Sequence, residues 1–183
     1  MPPRRLWGLD LTLVWVLGFF PVWLLGIVDY HGSRLIALER LRWPTSAEVQ
    51  RVFAHAVREH GTPDRILTDN GMVFRALSFE LFLANLNIEH TFTFPAHPWT
   101  NGRIERLFRT FKEAIDRGRW MIASVSQLDR FCEDFLVFYN RDRPHSAWGG
   151  RTPDEVYFGR PKQLAPLGRV SYFDGALSWY RFG

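Results

Sequence analysis

The sequence predicts an α/β fold built on a mixed sheet. Three observations predict it. Residues 11–41 hold apolar runs of strand length broken by turn residues, and apolar residues at helical spacing follow at 49–57. Strand signals then return at 65–68 and 88–94, with a second helical stripe between them. A meander followed by strand–helix–strand alternation gives antiparallel strands first and right-handed crossovers afterwards.

Met1 to Arg5 read as a short basic leader, and the first strand starts almost at once. Leu11 to Val28 contains eighteen residues without a charge, long enough to count as a membrane-span candidate. Gly18, Pro21 and Gly26, set among β-branched and aromatic residues, favour two buried strands with a turn at Gly18-Phe19-Phe20-Pro21. Asp29-Tyr30-His31-Gly32-Ser33 is a second turn, and Leu35–Leu41 a third strand. Val14, Val16, Leu24, Ile27 and Ile36 are the expected inner positions of this meander.

Thr45 and Glu48 have the spacing of a capping box at the start of a helix. Val49, Val52, Phe53, Ala56 and Val57 form its apolar stripe, and Gly61 with Pro63 ends it. Arg65–Thr68 is the fourth strand. Ser78 is the expected cap of a helix through Asn85, with Phe79, Phe82, Leu83 and Leu86 on its buried face. Ile88–Phe94 alternates as a half-buried strand. A loop from Pro95 to Thr100 leads into a helix whose core stripe is Ile104, Phe108, Phe111 and Ile115. Glu105, Arg109, Lys112 and Asp116 lie about 100° round from that stripe. A further helix is expected from Ser126, capped with Asp129 three residues on, to near Tyr139, and Thr152-Pro153-Asp154-Glu155 opens a last short one. Residues 161–183 read as a separate tail, a β-hairpin around Asp174-Gly175, whose removal is expected to leave the core (1–160) folded.

Composition narrows the classes. A chain of 183 residues is one domain by length. Sixteen Phe and eight Trp exclude a disordered chain. Cys132 is the sole cysteine, so no internal disulfide forms, and the six His show no zinc-finger spacing. A net charge of +4 with a pI near 9.6 suits a polyanionic partner without demanding one.

Asp69 ends an apolar strand before the Asn70-Gly71 turn, and Glu105 sits in the first turn of a helix. Carboxylates at such positions can hold a hard cation through oxygen. Each also has a plain structural reading, Asp69 as a turn cap and Glu105 as a charge favoured at a helix N-terminus.

The wording around the pair is more specific. Thr68-Asp69-Asn70-Gly71 is followed by His97-Pro98-x-Thr100-Asn101-Gly102-x-x-Glu105-Arg106, then by Tyr139-Asn140-x-x-Arg143-Pro144-His145 and by Thr152-Pro153-x-Glu155. With Asp10-Leu11-Thr12 supplying an early Asp-x-Thr, this series resembles the DDE transposase and retroviral-type integrase catalytic core over roughly residues 7–160. More narrowly it resembles the core of bacterial insertion-sequence transposases.

The resemblance implies a ribonuclease H-like fold, with five strands in the order 3-2-1-4-5 and helices on both faces. It implies that Asp10, Asp69 and Glu105 are catalytic and together hold two Mg²⁺ or Mn²⁺ ions for DNA cleavage and strand transfer in transposition. Asp29 is a rival to Asp10, also at a strand end, without the Asp-x-Thr context. His97, Asn101 and Arg106 match positions near the scissile phosphate or its flanking DNA; His97 can equally be a backbone-bonded loop residue and Asn101-Gly102 a turn. Arg103, Arg106, Arg109, Lys112, Arg117 and Arg119 give this helix region six cations, of which Arg106, Arg109 and Lys112 are the expected phosphate contacts. Arg143 and His145 are expected to brace the last helices.

The expected partners are transposon ends and target DNA, with a homo-oligomer formed on DNA, in a bacterial cytoplasm at the nucleoid. No helix-turn-helix stands ahead of the first strand, so sequence recognition is expected to lie in a separate helix-turn-helix protein. Two other readings stand beside this one: a remnant that binds DNA without catalysing, and a membrane protein anchored by residues 11–28.

Overall fold

The computed structural model describes residues 2–93, 102–118, 122–162, 166–175 and 177–182. Five strands form one mixed sheet: β1 (Leu6–Val16), β2 (Phe20–Asp29), β3 (Arg34–Leu41), β4 (Arg65–Thr68) and β5 (Glu89–Phe92), in the order β3-β2-β1-β4-β5. β1–β2 and β2–β3 are antiparallel, whereas β1–β4 and β4–β5 are parallel. The expected strand order is therefore the one observed.

The uncharged run 11–28 folds as β1 and β2 rather than as a span. Among the described residues no helix is long and apolar enough to cross a membrane. The turn falls earlier than its Gly-Phe-Phe-Pro wording suggested. Leu17 and Gly18 both take positive φ (53° and 80°), and Pro21 already lies in β2 opposite Trp15. Positive φ at both central residues turns the chain with the twist of the flanking strands, which makes this site the tight one.

α1 (Ser46–His60) and α2 (Leu77–Asn85) cover one face of the sheet. There Trp7, Leu9, Ile27 and Ile36 pack on Val49, Val52, Phe53, Phe79 and Leu83. α3 (Gly102–Gly118) and α4 (Val125–Val137) cover the other, where Val14, Val16 and Leu24 meet Ile104, Phe108, Phe111, Phe131 and Phe135. The five inner positions read from the meander are thus all buried, but they divide between two faces. A sheet covered on both sides buries both parities of a strand.

Caps show what competes for a side chain. Thr45 accepts from Glu48 N as expected, yet the Glu48 carboxylate takes the amide of Arg42, so only half the capping box forms. α2 starts at Leu77 without a side-chain cap, and the Ser78 hydroxyl meets that of Ser46 instead. α4 is capped by Ser124, which accepts from Gln127 N, while Asp129 pairs with Arg40 at 3.0 Å. α5 (Pro153–Tyr157) opens with a complete Thr152–Glu155 capping box.

α4 runs into a π-turn at Phe138–Asp142, which swings Asn140 inward. The Asn140 amide bonds both backbone groups of Leu35, donating to its carbonyl at 2.7 Å and accepting from its N–H at 2.9 Å. β6 (Pro166–Tyr172) and β7 (Leu177–Phe182) form the tail hairpin as a separate two-stranded sheet. It leans on α4: Leu177 is fully buried in the α3–α4 cluster, Phe173 meets the Phe131 ring edge-on, and the Tyr172 hydroxyl donates to Asp142 at 2.6 Å.

Candidate active site

β1 and β4 run side by side with Gly8 opposite Leu67. Two residues further along each parallel strand, Asp10 comes level with Asp69. Strand alternation puts Trp7 and Leu9 under α1, and Asp10, Thr12 and Val14 under α3. α3 then brings Glu105 to the same side. Asp10, Thr12, Glu105, Arg109 and Lys112 line an open cleft of about 480 Å³.

α3 comes this close because the sheet has no side chain beneath it at one point. Gly26 pairs with Asp10, and a Cβ there would lie 2.8 Å from Phe108 Cζ. The Phe108 ring occupies that gap and seats the helix beside Asp10.

The electrostatics record the convergence. The Asp10 carboxyl is pushed up to about 7, first by burial and then by the negative charge of Asp69, with Glu105 adding in the same direction. The Leu11 amide, which donates to Asp10 Oδ1 at 2.8 Å, and the Lys112 ammonium oppose the rise. Asp69 does cap its turn, with Oδ1 accepting from Gly71 N at 2.9 Å. Capping leaves its charge in place, and Asp10 feels that charge. Glu105 is exposed on the first turn of α3.

Asp29 has different company. It is fully buried and accepts from Arg4 N, Trp7 Nε1 and His31 N at 2.7, 3.1 and 2.7 Å. Paired with Trp7 at the far end of the β1–β2 ladder, it ties the chain start to the sheet.

The expected phosphate contacts divide. Arg109 and Lys112 stand on the cleft wall. Arg106 is exposed, does not line the cleft, and bears instead on Tyr139 and His145, whose protonation its charge influences. Arg103 is half-buried and donates to the Tyr30 carbonyl. His97 and Asn101 lie outside the described residues, as does Arg119.

Sequence reasoning passed over the support beneath Asp69. Thr68 gives its hydroxyl proton to the Asp69 carbonyl at 2.8 Å and meets His90 Nε2 at 2.9 Å, while His90 Nδ1 meets Glu80 at 2.7 Å. Burial pushes the His90 imidazole below its usual range, and the Glu80 carboxylate works against that. The alternation of β5 signalled an inward His90, but nothing local pairs it with a strand 22 residues earlier.

An all-oxygen donor set suits hard divalent cations. Among the described residues no three His, Cys, Asp or Glu side chains already stand as a metal-holding group. The carboxylates converge electrostatically, with Glu105 still turned to solvent.

Two models described as integrase core domain match the chain, one over residues 2–98 and the other over 86–153. An uncharacterized Caenorhabditis elegans protein, K02A2.6, is 37% identical over 101 residues, which is 55% of this chain and 8% of that protein. The Gag-Pro-Pol polyprotein of simian retrovirus SRV-2 is 30% identical over 124 residues, 64% of this chain and 7% of the polyprotein. The chain thus spans less than a tenth of the length of these relatives. Among solved structures, the HTLV-2 integrase catalytic core domain in complex with magnesium superposes with a TM-score of 0.71 at 22% identity, covering 86% of this chain and 98% of that one. The BIV integrase catalytic core domain gives 0.67 at 23% identity, covering 85% and 95%. Strand order, two-sided helix cover and the sequence matches agree: the chain belongs to the integrase core domain family.

Proposed function

We propose that the chain is the catalytic core of a transposase or integrase that cuts DNA and transfers its 3′ end, with Asp10, Asp69 and Glu105 holding two Mg²⁺ or Mn²⁺ ions. The observation that carries this reading is the Asp10 carboxyl raised to about 7 by burial and by the other two carboxylates. Like charges crowded in a half-buried site are costly unless a cation joins them, and perturbed groups in a cleft mark chemistry more often than architecture. When bound, such ions supply an activated water or hydroxyl and neutralise charge on the leaving oxygen.

The residues divide the work. Asp10, once deprotonated, would hold the cation. Asp69, fixed by Gly71 N and by the Thr68 brace, presents its charge from the end of β4. Glu105 would reach the ions from the first turn of α3, so its reach depends on where that helix is seated. Arg109 and Lys112 bind backbone phosphates along the cleft wall and position the strand without reading its sequence. DNA ends and target and a homo-oligomer on DNA complete the reading. A bacterial insertion-sequence origin rests on the motif resemblance alone.

Asp69→Asn and Glu105→Gln each remove metal-binding charge at nearly constant volume. Each is expected to abolish Mn²⁺-dependent strand transfer by the chain while keeping the wild-type melting transition. Activity retained in either variant takes that residue out of the site. A wild-type chain that binds duplex DNA but neither cuts nor joins it would favour the non-catalytic remnant.

A further inference from the structure

Arg103 stands two residues before Glu105, and its guanidinium is held from three sides. It donates to the carbonyl of Tyr30, lies over the Tyr30 ring at 5.2 Å, and faces the Trp148 ring at 5.6 Å. Both rings are themselves fixed. Tyr30 rests on β1 at Gly8, where a Cβ would lie 2.7 Å from Tyr30 Cε1. Gly8 is on the strand face that carries Asp10, two residues further on.

Trp148 closes the short 3₁₀ turn after His145, with its N–H bonded to the His145 carbonyl at 3.0 Å. Among the described residues the buried indole Nε1 has no hydrogen-bond partner, so stacking and packing set the place of the ring. His145 is anchored edge-on against Tyr139 at 4.7 Å, and Arg143 reaches His145 Nε2 at 3.3 Å. A line of contacts therefore runs from the Tyr139–His145 segment through Trp148 and Arg103 to the first turn of α3, and from there to β1 through Tyr30 and Gly8.

We propose that Arg103 is a positioning residue for Glu105: clamped between Tyr30 and Trp148, it fixes the first turn of α3 at the height where Glu105 can reach Asp10 and Asp69. The proposal rests on the reading of Glu105 as a metal-binding carboxylate. A planar, delocalised cation is what this site needs, since it lies over two rings while donating to a carbonyl at once. An ammonium can replace the charge but not the stacking. Arg103 is thereby set apart from Arg109 and Lys112, which share its sign and its helix but stand on the open cleft.

The sign of the effect separates this role from bare electrostatics. Removing a cation near three carboxylates should tighten metal binding if charge alone mattered. Loss of a clamp should weaken it. The test is calorimetric titration of the full chain with Mn²⁺ alone, on wild type, Arg103→Ala, Arg103→Lys, Trp148→Leu, Glu105→Gln and the Arg103→Ala/Glu105→Gln double variant. Melting curves confirm folding, and Trp148→Leu loosens the clamp should Arg103→Ala fail to fold.

Arg103→Ala and Trp148→Leu are expected to weaken Mn²⁺ binding about tenfold, the low end for supports of metal ligands. Arg103→Lys should recover little of it. In the Glu105→Gln background, loss of Arg103 should add nothing. The salt dependence of DNA binding should stay at the wild-type slope in Arg103→Ala. Tighter Mn²⁺ binding, an equal loss in both backgrounds, or a flattened salt slope each overturns the proposal while leaving Glu105 as a ligand. Mn²⁺ binding unchanged in Glu105→Gln instead overturns the ligand assignment, and the positioning role with it.

Discussion

Asp10 and Asp29 lie on the same β1–β2 ladder and differ in what their oxygens face. Asp29 is met by three N–H donors, so its charge is structural. Among the described residues Asp10 accepts from the Leu11 amide alone and feels the charges of Asp69 and Glu105. Asp10→Asn is expected to abolish strand transfer. Its stability effect follows from linkage: a carboxyl whose folded pKa is raised from 3.8 to about 7 weakens the fold as pH rises between those values. In chelator, Asp10→Asn should therefore melt higher than wild type at pH 8. Asp29→Asn should keep strand transfer in its folded fraction and lose about 1–3 kcal/mol, the cost of mismatching buried donors. Melting curves beside strand-transfer assays read both. His145 carries a second pH signature. Burial, then the Arg143 charge, hold its imidazole down at about 4 against the usual 6.5. Between those values the unfolded chain binds the proton and the folded chain does not, so stability falls as pH drops from 6.5 towards 4. His145→Gln should remove that part of the slope in urea midpoints measured across this range.

At the scale of elements, the seat of α3 is the sensitive point. Gly26→Ala would set a methyl against the Phe108 ring and is expected to cost about 1–3 kcal/mol by overpacking. Lifting α3 also carries Glu105 outward, so strand transfer should fall more than the melting temperature predicts. This seat shows where sequence reading runs out. β4 was legible residue for residue, because Arg65–Thr68 is a short apolar run closed by Asp-Asn-Gly. The stripe of α3 was legible because 3.6-residue spacing is a local property. Gly26 read only as an argument against a membrane span, since its meaning lies in Phe108, 82 residues later. Ser126 read as a cap because Ser124 offers the same spacing to Gln127, and Asp129 is claimed by Arg40 from β3. Arg103 read as one more cation of the helix region because nothing local reveals Tyr30 and Trp148 around it. Motif wording named Asp10, Asp69 and Glu105, but their charge coupling was not legible in it.

At the scale of the whole molecule, both faces of the sheet carry an apolar core, and Asp10 and Glu105 line the cleft on the α3 side. DNA should meet that side through exposed cations. Replacing Arg106, Arg109 and Lys112 by Ala is expected to weaken binding to two unrelated duplexes about equally and to flatten the log affinity–log salt slope by about two to three counterions. A wild-type slope in the triple variant takes these side chains out of the phosphate contacts. Arg106, off the cleft, should contribute least when the three are replaced singly.

Asn140 has a consequence for the company this protein keeps. β3 is an outer strand of the sheet, and an outer strand offers its spare N–H and C=O groups to any other chain. At Leu35 both groups are already taken by the Asn140 amide, which acts as a strand one residue long. A side chain that mimics backbone closes the start of the edge to pairing while adding no edge of its own. The π-turn that swings Asn140 inward therefore also caps the start of the sheet's edge.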